Sequence, residues 1–265
     1  MKDKYLDIAG TKIHYKIKGN AKAVYVWVHG FPESLENWGE IIDKFEREKI
    51  ILIDLPGFGK SDLLAEVQTM ELFADVVKEV LDAEGIKKCI YVGHSMGGYI
   101  GLEFAKKYKD NLQGLVLLNS HAKEDGPEKK EARLRQVELL KKEGKSMLMR
   151  ELIPIMFAPQ NVDKFKDVID KFINIAKATS TEAIISALLG MRLRPDNLNF
   201  VQNVDIPLLM IAGENDLLIP LSVVQEHENP TNPNLLIKVI KNVGHASFIE
   251  NPEKTAEIIK NFVNS

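Results

Sequence analysis

The chain begins with two short runs in which apolar and polar residues alternate. Tyr5, Leu6 and Ile8 are followed by Ile13, Tyr15 and Ile17 around Gly10-Thr11, and in the second run His14, Lys16 and Lys18 fall on the opposite face. This period of two predicts an antiparallel hairpin with one wet face. The pattern then changes. Val24-Tyr25-Val26-Trp27-Val28 is an unbroken apolar run, as expected of a strand covered on both sheet faces, and it stops at His29-Gly30-Phe31-Pro32. Trp38, Ile41, Ile42 and Phe45 predict a helix over 37–47, Ile50 to Ile53 a second buried strand, and Leu72, Phe73, Val76, Val77, Val80 and Leu81 a helix capped by Thr69 and ended near Gly85. A strand running into Tyr91-Val92-Gly93, a helix from Ser95 to about Tyr108 and a strand over 112–118 continue the alternation.

Strands and helices taking turns at this pace imply parallel βαβ units: an α/β protein with a mostly parallel central sheet and helices on both faces. From about Ser120 to Pro195 the rhythm breaks, and apolar residues at helical spacing predict four helices in a row with no strand between them. Strands then return at 207–213 and 235–240, and Pro252 opens a last helix with Ala256, Ile259, Phe262 and Val263 as its apolar stripe. The division predicted is a core of residues 1–119 and 196–265, interrupted by an all-helical cap over 120–195. The charged stretch 127–143 reads as the solvated face of a cap helix.

Charge narrows the partners. The 35 Lys and Arg residues against 38 Asp and Glu leave a net charge of -3. Without a basic footprint, neither nucleic acid nor an anionic membrane is expected as a partner. The single cysteine, Cys89, lies in an apolar run and reads as a small buried hydrophobe. Met1 to Tyr5 carries no apolar leader, and no run of about 20 apolar residues occurs, so a cytoplasmic location is expected. Oligomeric state is left open.

Gly93-His94-Ser95-Met96-Gly97 has the form of a nucleophile elbow, in which a serine sits between strand and helix and glycines allow a sharp turn. The loop Asp54-Leu55-Pro56-Gly57-Phe58-Gly59-Lys60-Ser61 imitates a phosphate loop but has Asp54 where the first glycine is required. Two more polar residues follow strand ends, Asp216 and His245. A serine hydroxyl needs a base with pKa near 7, and that base needs an acceptor to fix its tautomer; His245 and Asp216 supply both. The bland alternatives are a surface loop for His245 and a turn for Asp216, with Glu214 competing for the acid's role and Asn119 unable to carry its charge.

With the order Ser, Asp, His along almost the whole chain, the sequence resembles the α/β-hydrolase superfamily, in particular its serine esterase-like branch with a helical cap. The resemblance implies an oxyanion hole from the backbone N–H groups of Phe31 and Met96, and structural roles for His29 and His94. Gly30, Trp38, His121, Met156 and Phe157 are candidates for the substrate pocket. Ser95 stands where epoxide hydrolases and dehalogenases carry aspartate. A serine nucleophile implies an acyl-enzyme and hydrolysis of a small to medium carboxylic ester, with no metal or organic cofactor. The alternatives are carbon–carbon bond hydrolysis or peracid formation with the same triad, and a ligand receptor on the same fold.

Overall fold

The computed structural model describes residues 1–264. Eight strands form one sheet: β1 (Lys2–Ile8), β2 (Thr11–Lys18), β3 (Val24–Val28), β4 (Lys49–Ile53), β5 (Cys89–His94), β6 (Leu112–Leu118), β7 (Leu208–Gly213) and β8 (Leu235–Ile240), in the spatial order β1-β2-β4-β3-β5-β6-β7-β8. The hairpin β1–β2 is antiparallel, as is β2 against β4, and every other pairing is parallel. Ala9 and Gly10 both have positive φ, 51° and 85°, the backbone that matches a two-residue hairpin turn to the twist of its strands. The unbroken apolar strands β3, β5 and β7 are buried along their whole length.

The described residues also form ten α-helices: α1 (Met70–Ala83), α2 (Met96–Lys107), α3 (Pro127–Lys141), α4 (Lys145–Leu152), α5 (Lys166–Ala178), α6 (Thr181–Arg192), α7 (Leu198–Gln202), α8 (Leu221–Gln225), α9 (Ser247–Glu250) and α10 (Pro252–Val263). α1 packs against α2, which covers β5 and β6, while α10 packs against the 39–45 turn and reaches β7 and β8. No single helix among the described residues is long and apolar enough to cross a membrane.

Three local expectations need correction. The predicted helix over 37–47 is two 3-10 segments, Leu35–Asn37 and Gly39–Phe45, because Gly39 at φ 53° interrupts the helical path; Trp38, Ile41, Ile42 and Phe45 still enter the core. The third helix after β6 starts at Lys166 rather than near Val162, after a 3-10 turn at Pro159–Asn161. His14 is not on a wet face. It is buried, with Nδ1 2.7 Å from an Asp54 oxygen and Nε2 2.8 Å from an Asp3 oxygen, so two carboxylates replace the water that the alternation led one to expect.

The sheet order locates the crevice. The chain leaves β3 for β4 on one side, then crosses back to β5 on the other, so the connections diverge at the carboxyl ends of β3 and β5. Ligands in open α/β sheets bind at such a switch point. The loop at Gly30-Phe31 follows β3 and Ser95 follows β5. Between β6 and β7 the described chain contains helices and no strand.

Candidate active site

Ser95 lies between β5 and α2 with φ 50° and ψ -112°, a conformation rarely adopted by a residue with a side chain. Such a residue costs about 1–3 kcal/mol and persists only where its surroundings hold it. Here they do. The Ser95 N–H donates to the Leu118 carbonyl at 3.0 Å, and the Ser120 hydroxyl donates to the Ser95 carbonyl at 2.8 Å. The glycines of the motif are required by contact distance: a Cβ at Gly93 would stand 2.2 Å from the Gly97 oxygen, and one at Gly97 would stand 2.1 Å from the Val28 oxygen.

Asp216 follows β7 and His245 follows β8. The His245 Nδ1 donates to Asp216 Oδ2 at 2.8 Å, while Asp216 Oδ1 accepts the N–H groups of Leu218 and Ile219 at 2.9 Å each. Burial alone would raise the Asp216 carboxyl. The His245 ring and these amide donors outweigh it and hold the group below the ordinary carboxylate range. With Nδ1 occupied as a donor, Nε2 is the basic nitrogen of a neutral His245. Glu214 takes no part in the pair; its carboxylate accepts from the Asn242 N–H at 3.0 Å. Asn119, at φ 46°, donates to the Gly244 carbonyl at 3.0 Å and to Asp216 Oδ2 at 3.3 Å, so the amide braces the loop that carries the histidine.

The two remaining motif histidines tie loops together. His29 Nδ1 donates to the Gly30 carbonyl at 2.8 Å and Nε2 accepts the Leu55 N–H at 3.1 Å; burial keeps this ring neutral by lowering its pKa. His94 contacts only acceptors, the Glu33 carboxylate through Nδ1 and the His245 carbonyl at 2.9 Å through Nε2. Burial pulls its pKa down, but the Glu33 carboxylate more than compensates and raises it. Glu33 Oε2 also accepts the Gly30 N–H at 2.8 Å. The Asp54–Ser61 loop is likewise turned inward: Asp54 accepts from the Leu35 and Lys60 amides, and a Cβ at Gly59 would stand 2.2 Å from its carboxyl group.

Ser95 and His245 line one cavity of about 240 Å3, together with Phe31. Leu152, Met191, Leu217, Leu218 and Ile219 give it apolar walls; Tyr99, Lys129, Arg133 and Gln136 give it polar ones. Among the described residues, neither the Met96 nor the Phe31 N–H has a hydrogen-bond partner. Most of the pocket predicted from sequence lies elsewhere. Trp38 is core, packed edge-on to Trp27 at 5.0 Å. Met156 and Phe157 are buried beneath the Gly244 loop, where the Met156 carbonyl accepts the Ala246 N–H at 2.9 Å. Gly30 is closed in by His94 and Glu33, and His121 packs against the Tyr99 ring at 5.3 Å without lining the cavity. An apolar residue near a site is as readily its floor as its wall, and periodicity does not tell them apart. The cavity residues that sequence reasoning missed left one signal: Lys129, Ala132, Arg133 and Gln136 share a single helical stripe.

A family profile described as alpha/beta hydrolase fold matches residues 26–146. The chain is 29% identical to a thermophilic esterase from Thermogutta terrifontis, with a TM-score of 0.90 over 100% of this chain and 98% of that one. It is 27% identical to a 2-hydroxy-6-oxononadienedioate/2-hydroxy-6-oxononatrienedioate hydrolase of Paraburkholderia phymatum over 98% of this chain and 95% of the relative. It is also 26% identical to a pimeloyl-[acyl-carrier protein] methyl ester esterase of Wigglesworthia glossinidia brevipalpis, over 94% and 96%. The chain therefore has the α/β-hydrolase fold, and its likeness to hydrolases of that fold runs over nearly its whole length.

Proposed function

We propose that the protein is a serine carboxylesterase acting through an acyl-enzyme on Ser95. The observation that carries this reading is that Ser95 shares its cavity with a His245 whose Nδ1 is held by Asp216 at 2.8 Å. His245 Nε2 takes the proton as the Ser95 hydroxyl attacks the ester carbonyl, and Asp216 stabilises the imidazolium that forms. The unpartnered amides of Met96 and Phe31 meet the oxygen that becomes negative; one such donor is worth about 3 kcal/mol of barrier. His245 then protonates the departing alcohol, and water activated by the same ring releases the acid.

In this reading residues 120–195 are the cap. Lys129, Arg133, Leu152 and Met191 come from that segment and face the cavity, which keeps bulk water from the acyl-enzyme. At about 240 Å3 the cavity is small beside the roughly 300–1,000 Å3 usual for ligand sites, which supports small to medium esters. The likeness to esterases over nearly full lengths supports the same chemistry.

The test is a series of p-nitrophenyl esters of rising chain length, run beside Ser95→Ala. Turnover should peak at short or medium acyl chains and fall to a small residual rate in the variant; full activity in Ser95→Ala would refute the assignment. The Paraburkholderia relative favours a second reading, carbon–carbon bond hydrolysis of a 2-hydroxy-6-oxo dienoate with the same three residues. Higher kcat/KM on such a substrate than on any ester of the series would transfer the assignment to it.

A further inference from the structure

One wall of the cavity is charged, and its charge has a single sign. Lys129, Arg133 and Gln136 stand at i, i+4 and i+7 on α3 and line the cavity that holds Ser95 and His245. At 1.5 Å per residue the stripe runs for about 10 Å. Among the described residues no Asp or Glu lines this cavity.

The nearby acids do not neutralise the stripe. Asp125, wholly buried, faces Arg133 Nε through its Oδ2, but its Oδ1 also lies 2.8 Å from Arg194 Nη1, so one carboxylate serves two guanidinium groups. Arg194 sits over the ring of Tyr99, a cavity residue, with Cζ 4.1 Å from the ring centroid, and its buried Nη2 has no hydrogen-bond partner. Glu131 pairs with Arg135 and Glu124 with Lys130. Lys129 has no ion-pair partner among the described residues. Burial first, then the charges of Arg194 and Lys129, push the His121 imidazole well below its ordinary range. An anchoring role for the Arg133–Asp125–Arg194 cluster accounts for the carboxylate. It does not account for a surplus lysine facing the cavity.

We propose that the cavity selects esters carrying a second, anionic group, a carboxylate received by Lys129 and Arg133 along the α3 stripe with Gln136 as a neutral donor beside them. The proposal rests on the Ser95 esterase reading. A carboxylate is the fitting partner because guanidinium and ammonium groups donate charge-assisted hydrogen bonds to it, and because the other walls offer no competing acceptor charge.

The test compares matched pairs of esters. One pair puts the charge on the acyl side, mono-p-nitrophenyl adipate against p-nitrophenyl heptanoate; the other puts it on the alcohol side, the butyrate ester of 4-hydroxybenzoate against that of its methyl ester. In at least one pair the wild type should favour the acidic ester by about tenfold in kcat/KM, the effect of one charge-assisted hydrogen bond. Lys129→Glu, at an exposed position, should bring that ratio to one or below, chiefly through KM, and raising NaCl from 0.05 to 0.5 M should shrink the ratio in the wild type as well. The favoured pair then assigns the stripe to the acyl or the alcohol side. Ratios near one for both pairs in the wild type, or a ratio that survives Lys129→Glu, would overturn the proposal. Failure of the esterase reading has a different signature: no turnover of the neutral esters above that of Ser95→Ala.

Discussion

His94 donates its Nε2 proton to the backbone carbonyl of His245 at 2.9 Å, so the residue before Ser95 holds the main chain of the residue that would act as its base. Through Nδ1 the same ring meets Glu33, which also holds the Gly30 N–H, next to the Phe31 amide. Three loops, after β3, β5 and β8, thus meet on one buried imidazole ring.

Weakening this link should misplace the proposed catalytic groups without removing any of them. In Glu33→Gln the counter-charge of His94 is lost while a hydrogen-bonding side chain of equal size stays. The expected result is a loss of about ten- to hundredfold in kcat on p-nitrophenyl butyrate per site titrated by a fluorophosphonate, since small misplacements carry penalties of that order. A loss confined to melting temperature, with kcat per titrated site unchanged, would reduce the link to ordinary packing.

Asp216→Asn should keep the fold and lose the chemistry. An amide can offer its NH2 to His245 Nδ1, which selects the wrong tautomer, and the stabilising charge is gone; a drop of about ten-thousandfold in kcat is expected. If the three residues act as a unit, as the proposed mechanism requires, Ser95→Ala and the double variant with His245→Ala should leave similar residual rates. Additive losses would contradict a shared mechanism.

Gly97→Ala tests the elbow by contact alone. Its Cβ would fall 2.1 Å from the Val28 carbonyl oxygen, a backbone atom of the central strand that cannot swing aside. Urea unfolding should show a loss of about 3 kcal/mol or failure to fold, at the upper end for overpacked sites. An alanine variant as stable as the wild type would mean that β3 and α2 do not approach so closely.

His14 predicts a pH dependence separate from catalysis. Burial lowers its pKa, but Asp54 and Asp3 together raise it above the ordinary value near 6.5. A raised folded-state pKa means that the folded protein binds the proton more tightly than the unfolded chain. The stabilisation is therefore complete below about 6.5 and is lost as pH rises through the folded value. Chemical denaturation of the wild type from pH 5.5 upward should show this decline, and His14→Gln should be less stable at pH 5.5 and flatter above it. An equal pH slope in both proteins would place the titration elsewhere.

The strands, their order of chemistry and the elbow were legible because each is written in local pattern. A strand buried on both faces must be apolar throughout, as β3, β5 and β7 are, and a turn that brings β5, α2 and β3 within contact must have glycine at 93 and 97. His14 and the pocket were not legible. Whether a half-polar strand residue meets water or a carboxylate depends on Asp54, 40 positions away, and whether Trp38 or Arg133 faces the cavity depends on which helix docks over the sheet.

What the sequence determined by itself, then, was the alternating α/β fold and the three residue types a serine hydrolase requires, each placed just past a strand. Only the tertiary structure decided which acid meets His245, that His94 braces that histidine from behind, and that the cavity wall is a cationic stripe of α3. The reason is distance along the chain. Periodicity reports which face of an element is apolar, whereas a site is made where faces from remote elements come together, and that is set by packing.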